Sequence, residues 1–161
     1  MGDDERFEPD EILAALNEHG VRYVVVGGFA VAAHGVVRAT ADLDLVVQLD
    51  WENAAALAAA LTTIEARDLE DSRLAISQES LVRRVDRRLR TRHGEVHLLN
   101  EVDGVPRYEK LVPAAVIELD GQRVPVAQLA DLKAMKGVSE RAKDGVDLAE
   151  LDALDALDAD N

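Results

Sequence analysis

Two apolar runs with polar ends limit what this chain can fold into. The first, Arg22-Tyr23-Val24-Val25-Val26, ends in Gly27-Gly28 and opens an alanine-rich segment. The second, Leu43-Asp44-Leu45-Val46-Val47, is preceded by Asp42, so two acids enter it at alternate positions. Successive strand side chains point to opposite faces, which puts Asp42, Asp44 and Val46 on one face and Leu43, Leu45 and Val47 on the other. The two carboxylates then stand roughly 7 Å apart at their Cα atoms, by the rise of a strand. Such a pair can converge on one divalent ion or two adjacent ones, and without a cation the like charges would repel. The plainer reading is a turn aspartate and a cap at the strand's start. Burying an unpaired charge in a strand of this kind is costly, which favours the metal reading. Gly27 and Gly28 either form a plain tight turn or let the backbone approach a phosphate at a helix start.

Gly-Gly, then Asp-x-Asp entering an apolar strand, with Arg38-Ala39-Thr40 between, resembles the signature of the DNA polymerase β-like nucleotidyltransferases. The later Lys-rich and Asp-rich segments are similar to the minimal bacterial branch, which includes AbiEii and MenT-type toxins of toxin–antitoxin systems. The likeness runs from about Tyr23 to Leu157. It implies an enzyme that uses Mg²⁺ (or Mn²⁺) on Asp42 and Asp44 to transfer NMP from an NTP to an acceptor hydroxyl. The implied acceptor is an RNA 3′ end such as that of tRNA; a protein hydroxyl is the alternative, and a cognate antitoxin is an expected partner. Lys136 matches a lysine that contacts the triphosphate in that family. Asp144 and Asp147, in Lys143-Asp144-x-x-Asp147, resemble a further nucleotide-site element of the same toxins, with Asp147 on the catalytic side. Locally, Asp144 could equally be an N-cap and Asp147 a solvated acid in the first turn of a helix. Thr40 and Arg38 are candidate phosphate contacts, or a β-region residue and a surface charge.

One position departs from the resembled pattern. A third carboxylate is expected on a later strand, and the stretch here reads Glu95-Val96-His97-Leu98-Leu99. Imidazole can ligate a metal and act as a base, but it does not supply the same charge. Glu95, two residues earlier on the same face, could take the acid's place. The rival reading is therefore a catalytically weakened module of the same fold that binds a nucleotide or a partner. A neutral scaffold with a metal-free acid pair is the remaining alternative.

Length and composition bound the rest. The 161 residues make one domain the expectation, over 1–161, with 1–9 and 158–161 mobile. No run approaches the ~20 apolar residues of a membrane span, and no secretory signal or cysteine is visible, so a cytoplasmic location is expected without a membrane partner. The net charge of −14 argues against a general nucleic-acid coat. Yet Arg83, Arg84, Arg87, Arg88, Arg90 and Arg92 place six of the eighteen basic residues within ten positions. Arg84 and Arg88 are candidate RNA-phosphate contacts, or part of a solvated helix face.

Element by element, helices are expected at Asp10–His19, Phe29–His34, Trp51–Leu61 (capped by Asp50), Ser80–Arg90, Gln128–Val138 and Asp144–Leu157. Strands are expected at Arg22–Val26, Leu43–Leu49 and Glu95–Leu99, with a short one at Leu74–Ile76. Ala115–Leu119, Asp120-Gly121 and Gln122–Val126 form a strong hairpin signal. Together they predict an α/β or α+β fold: a small mixed sheet flanked by helices, with a C-terminal helical pair.

Overall fold

The computed structural model describes residues 6–36, 39–84, 86–138 (backbone alone for 136–138) and 153. The chain enters through helix α1 (Pro9–Glu18), which has Pro9, Asp10 and Glu11 in its first turn and buries Ile12, Leu13 and Leu16. Gly20, at φ +69°, closes it, and the Val21 N–H reaches the Leu16 carbonyl at 3.0 Å. Strand β1 (Tyr23–Val26) is buried at all four positions. It leads directly into α2 (Gly27–Ala33), then β2 (Asp42–Val47) and α3 (Trp51–Thr63). The predicted cap is present: Asp50 Oδ1 accepts from the Asn53 N–H at 2.6 Å.

Strand β3 (Arg67–Asp68), helix α4 (Gln78–Arg83) and the strands β4 (Asp86–Thr91) and β5 (Gly94–Leu99) follow. A short α5 (Tyr108–Leu111), the hairpin β6 (Ala115–Leu119) and β7 (Gln122–Val126), and α6 (Leu129–Val138) complete the order. The hairpin turns on Asp120 and Gly121, both at positive φ (48° and 80°), as an Asp-Gly turn between twisted strands requires. The seven strands form one mixed sheet, ordered β3-β4-β5-β2-β1-β7-β6. Strand β2 pairs parallel with β5 and β1 parallel with β7, and the other neighbours are antiparallel.

Several expectations are corrected. Ser80–Arg90 is not one helix: α4 stops at Arg83, and the arginine segment from Asp86 is a strand. Strand β4 buries Arg87, Leu89 and Thr91 and turns Asp86, Arg88 and Arg90 to its other face, so its period is two and not 3.6. Pairing with β5 across Arg92-His93 decides this, a contact that helical spacing of Leu81 and Leu89 conceals. Leu74–Ile76 forms no strand, and the short strand lies earlier, at β3. Ahead of α1, Phe7 and Glu8 lie beside the turn between β4 and β5. The Glu8 N–H donates to the His93 carbonyl at 2.7 Å, and Phe7 lies against Gly94. The second helix of the expected C-terminal pair, Asp144–Leu157, lies outside the described residues except for Ala153, which is helical.

Two faces of the sheet differ in character. Leu43, Leu45, Val96, Leu98 and Leu89 are buried, and Leu57 of α3 and Leu81 of α4 meet Leu98 around one small void. On this covered face Arg87 is buried and paired: its Nε lies 2.9 Å from Asp68 Oδ2. Two buried asparagines finish the ladders. Asn53 accepts from the Arg22 N–H and donates to the carbonyls of Arg22 and Gln48. Asn100 accepts from the Val47 N–H at 3.0 Å and donates to the Val47 carbonyl at 2.7 Å, extending β2 past its pairing with β5.

Candidate active site

The opposite face of β2, β5 and β4 carries the charged side chains. In the parallel register of β2 on β5, Asp42 stands beside Glu95 and Asp44 beside His97. In the antiparallel register of β5 on β4, Glu95 stands beside Arg90 and His97 beside Arg88. Two rows therefore cross three strands, Asp42–Glu95–Arg90 and Asp44–His97–Arg88. Cross-strand neighbours on one face are within reach of each other, so the alternation anticipated for Asp42 and Asp44 also assembles their partners. His97 faces the acid pair, which settles which layer of the sheet it belongs to.

The imidazole sits at the centre. Its Nδ1 lies 3.3 Å from Asp44 Oδ1, and its Nε2 lies 3.1 Å from Glu95 Oε2 and 3.7 Å from Asp42 Oδ2. Hydrogen bonding to Asp44 raises the His97 pKa above its ordinary value. Burial opposes that shift, and a hydrogen bond to Glu95 and the charges of Asp42 and Asp44 reinforce it. Asp42 is pushed up as well, first by burial and then by the like charge of Asp44, with His97 opposing. These carboxylates repel one another, and the face is built to accept positive charge.

Arginines supply part of that charge. Arg90 Nη2 lies 2.8 Å from Glu95 Oε1, and Arg88 Nη2 lies 3.6 Å from Glu95 Oε2. Arg88 Nε also approaches His97 Nε2, at 3.3 Å. Neither contact belongs to the RNA role expected of Arg88, and Arg84, the residue that follows α4, pairs with Glu70 at 3.3 Å. The partnership of Arg88 and Arg90 with Glu95 and His97 escapes a helical reading of the segment. The alternation Arg88-x-Arg90 beside buried Leu89 is the signal that could have found it.

Asp42, Glu95 and His97 each offer one ligand atom, and the three atoms lie within 4.8 Å of one another. Two carboxylate oxygens and an imidazole nitrogen suit a divalent cation, and the surplus negative charge fits one. Asp42, Glu95 and His97 are thus a possible metal-binding group, which differs from the expected Asp42, Asp44 and His97 in having Glu95 in place of Asp44. Gly27 borders this cluster. Its φ is +70°, and a Cβ added there would run into the Asp44 carboxylate, 2.9 Å from Cγ. The position is glycine because Asp44 occupies the space, a reason independent of any phosphate.

Of the other expected residues, Gly28 is the second residue of α2 and Thr40 lies two positions ahead of β2. Lys136 belongs to α6, which packs on α2. Arg38, Asp144 and Asp147 lie outside the described residues. Among the described residues no helix is long and apolar enough to cross a membrane.

The chain matches the aminoglycoside-2''-adenylyltransferase family over residues 10–151, a span that includes every member of the cluster. A solution structure of the antibiotic-resistance factor ANT(2'')-Ia is 16% identical, with a TM-score of 0.55 over 94% of this chain and 89% of that one. A crystal structure of ANT(2'')-Ia in complex with adenylyl-2''-tobramycin is 14% identical, with a TM-score of 0.48 over 90% and 95%. No curated protein matches. At these identities the first structure speaks for a shared fold. The nucleotidyltransferase expectation is supported, while the toxin branch and the RNA acceptor gain nothing from these matches. With a match that spans most of its length, this chain belongs to the aminoglycoside-2''-adenylyltransferase family, a family of nucleotidyltransferases.

Proposed function

We propose that this protein transfers AMP from ATP to a hydroxyl of a small polycationic acceptor of the aminoglycoside class. The observation that carries the reading is the convergence of Asp42, Asp44, Glu95 and His97 on one sheet face in a chain of this family. A divalent cation bound there would neutralise charge on the α-phosphoryl group during an in-line displacement. The acceptor oxygen bonds to the α-phosphorus, the bond to the bridging oxygen breaks, and pyrophosphate leaves. The hydroxyl's proton goes to a carboxylate lining the same face. In this reading Gly27, Gly28, Thr40 and Arg38 border the nucleotide, with Lys136 as counter-charge to the triphosphate. Asp144 and Asp147 complete the nucleotide side. The net charge of −14 suits a cationic acceptor better than a polyanion.

A second reading keeps the chemistry and makes an RNA 3′ end the acceptor, as the resemblance to toxin-type enzymes implies. The arginines near β4 are the observation in its favour, although Arg84 and Arg88 are already paired with Glu70 and Glu95. One experiment separates the two. The protein is incubated with α-labelled ATP, the other labelled NTPs, Mg²⁺ or Mn²⁺, and either a panel of aminoglycosides or total tRNA. Label on an aminoglycoside is the expected result. Label confined to tRNA transfers the assignment to the second reading, and label on neither, with metal and nucleotide bound, leaves a binding module.

A further inference from the structure

We propose that a cleft at the far end of β2 is a binding site, separate from the charged face, for a small amino-acid zwitterion with a cationic side chain. Strand β2 begins at Asp42 and ends at Val47, five strand steps or roughly 17 Å further on. There an open cleft of about 200 Å³ lies between the end of β2 and the segment that leads into α5. One water needs only ~10–15 Å³ of such space, so the cleft has room for a small organic molecule. Its two walls are fixed. Asn100 is buried and bonded to both backbone groups of Val47, which ties the strand's end to the start of the loop. Buried Leu111 anchors α5 on the other side. Walls that need no ordering on binding leave more of the contact energy as affinity.

The lining carries charges of both signs that do not meet. Glu101, Arg107 and Glu109 border the cleft and are exposed. Among the described residues their side chains make no ion pair or hydrogen bond, with each other or elsewhere. Half-buried Tyr108, also on the wall, has a phenol without a partner among the described residues, where a phenol taken out of water ordinarily finds one. Glu101 holds a left-handed backbone, φ +63°, which a residue with a side chain adopts at a cost. A glycine there would remove that cost together with the carboxylate. Val47 and Leu49, the latter 44% exposed, add an apolar strip. A ligand that answers all of these has a carboxylate for Arg107, cationic groups for Glu101 and Glu109, and an aliphatic stem for Val47 and Leu49. A guanidinium takes a carboxylate through two parallel hydrogen bonds, and long basic side chains lay their stems on apolar surface while the head stays wet. The charge count agrees: two carboxylates and one guanidinium are complemented by a ligand of net charge +1, such as free lysine or arginine. A diamine leaves Arg107 unmatched, and a neutral zwitterion leaves one glutamate unmatched.

The test uses the full chain without nucleotide, metal or acceptor. Lysine and arginine are titrated by calorimetry beside cadaverine, which lacks the carboxylate, and norleucine, which lacks the side-chain cation. Amide chemical shifts locate the contact. One lysine or arginine per chain, bound at least about tenfold more tightly than cadaverine or norleucine, is the expected result. The shifts should be confined to residues 47–49 and 100–109. Arg107→Gln lowers lysine affinity by about tenfold or more and leaves cadaverine unchanged. Glu109→Gln lowers lysine affinity and leaves norleucine unchanged. Both residues are exposed, so both variants keep the fold. Asp42→Asn leaves lysine affinity as it is, because the charged face takes no part. No binding by the folded chain at about 10 mM ligand, cadaverine bound as tightly as lysine, shifts gathered around Asp42 and His97, or unchanged lysine affinity in Arg107→Gln would each overturn the proposal. None of these outcomes depends on whether the protein transfers AMP.

Discussion

Gly27 takes a left-handed backbone conformation, φ +70°, at the point where β1 becomes α2, and the Asp44 carboxylate fills the space a side chain would need. Replacing it with Ala meets both constraints at once. The left-handed conformation alone costs about 1–2 kcal/mol, and the clash must also displace Asp44. Gly27→Ala should lower the melting temperature and weaken Mn²⁺ binding together; a variant with unchanged metal affinity would show that Asp44 has room to move. Asp42 offers a cleaner test, since Asn keeps its shape and removes its charge. Asp42→Asn should reduce transfer on the order of a hundredfold or more with the fold retained. Wild-type turnover with Mn²⁺ or Mg²⁺ in that variant would exclude Asp42 as a ligand.

At the scale of elements, β4 is the segment whose local pattern misleads. Its arginines split between two roles because a strand has two faces: Arg88 and Arg90 join the charged cluster, while Arg87 is buried beneath α4. Arg87 is tolerated there because Asp68 of β3 meets it, and its Nη1 also reaches Ser80 Oγ at 3.2 Å and the Ala75 carbonyl at 3.3 Å. This pair pins the segment between β3 and α4. Removing one member leaves a bare buried charge, so Arg87→Ala should cost about 3–5 kcal/mol, read by denaturant melts. Burial pushes the Asp68 carboxyl up, but the backbone N–H of Asp71, Arg87 and the Glu70 N–H more than offset this, and its pKa lies below the ordinary value. A lowered carboxyl contributes stability that is present above its unfolded pKa and is lost as pH falls through the folded one. The stability gap between wild type and Asp68→Asn should therefore be widest near neutrality and shrink on acidification below the usual carboxylate range. A gap independent of pH would assign the cost to packing and not to charge.

Across the whole molecule, a net charge of −14 surrounds a face with its own excess of carboxylates. Opposite charge raises the encounter rate of a cationic acceptor, and salt screens that attraction over a Debye length of about 8 Å at physiological ionic strength. kcat/KM for an aminoglycoside should thus fall steeply between low and high salt, mainly through KM. Flat salt dependence would point to an uncharged acceptor. Conversely, Arg84→Ala with Arg88→Ala should leave RNA affinity across a salt series unchanged, because both arginines are engaged within the protein. A flattened salt slope in that double variant would restore the RNA reading.

Much of this protein is local and therefore readable along the chain. The Asp50 cap, the Asp120-Gly121 hairpin, the buried β1 and the shared face of Asp42 and Asp44 follow from spacings of two to four residues. The same holds for the mixed sheet among helices, which such elements leave as the way to bury their apolar faces. What the chain conceals is whatever depends on partners distant in sequence. Leu81 and Leu89 fit a helix until pairing with β5 draws residues 86–91 into the sheet. Arg87 looks like any surface arginine until Asp68, nineteen positions earlier, closes on it. His97 could have faced either layer, and the register Asp44↔His97, fifty-three positions apart, turns it to the acids and brings Glu95 and the two arginines with it. A one-residue slip of β5 would send Glu95 and His97 to the opposite face, and burial of Val96 and Leu98 locks the register that prevents it.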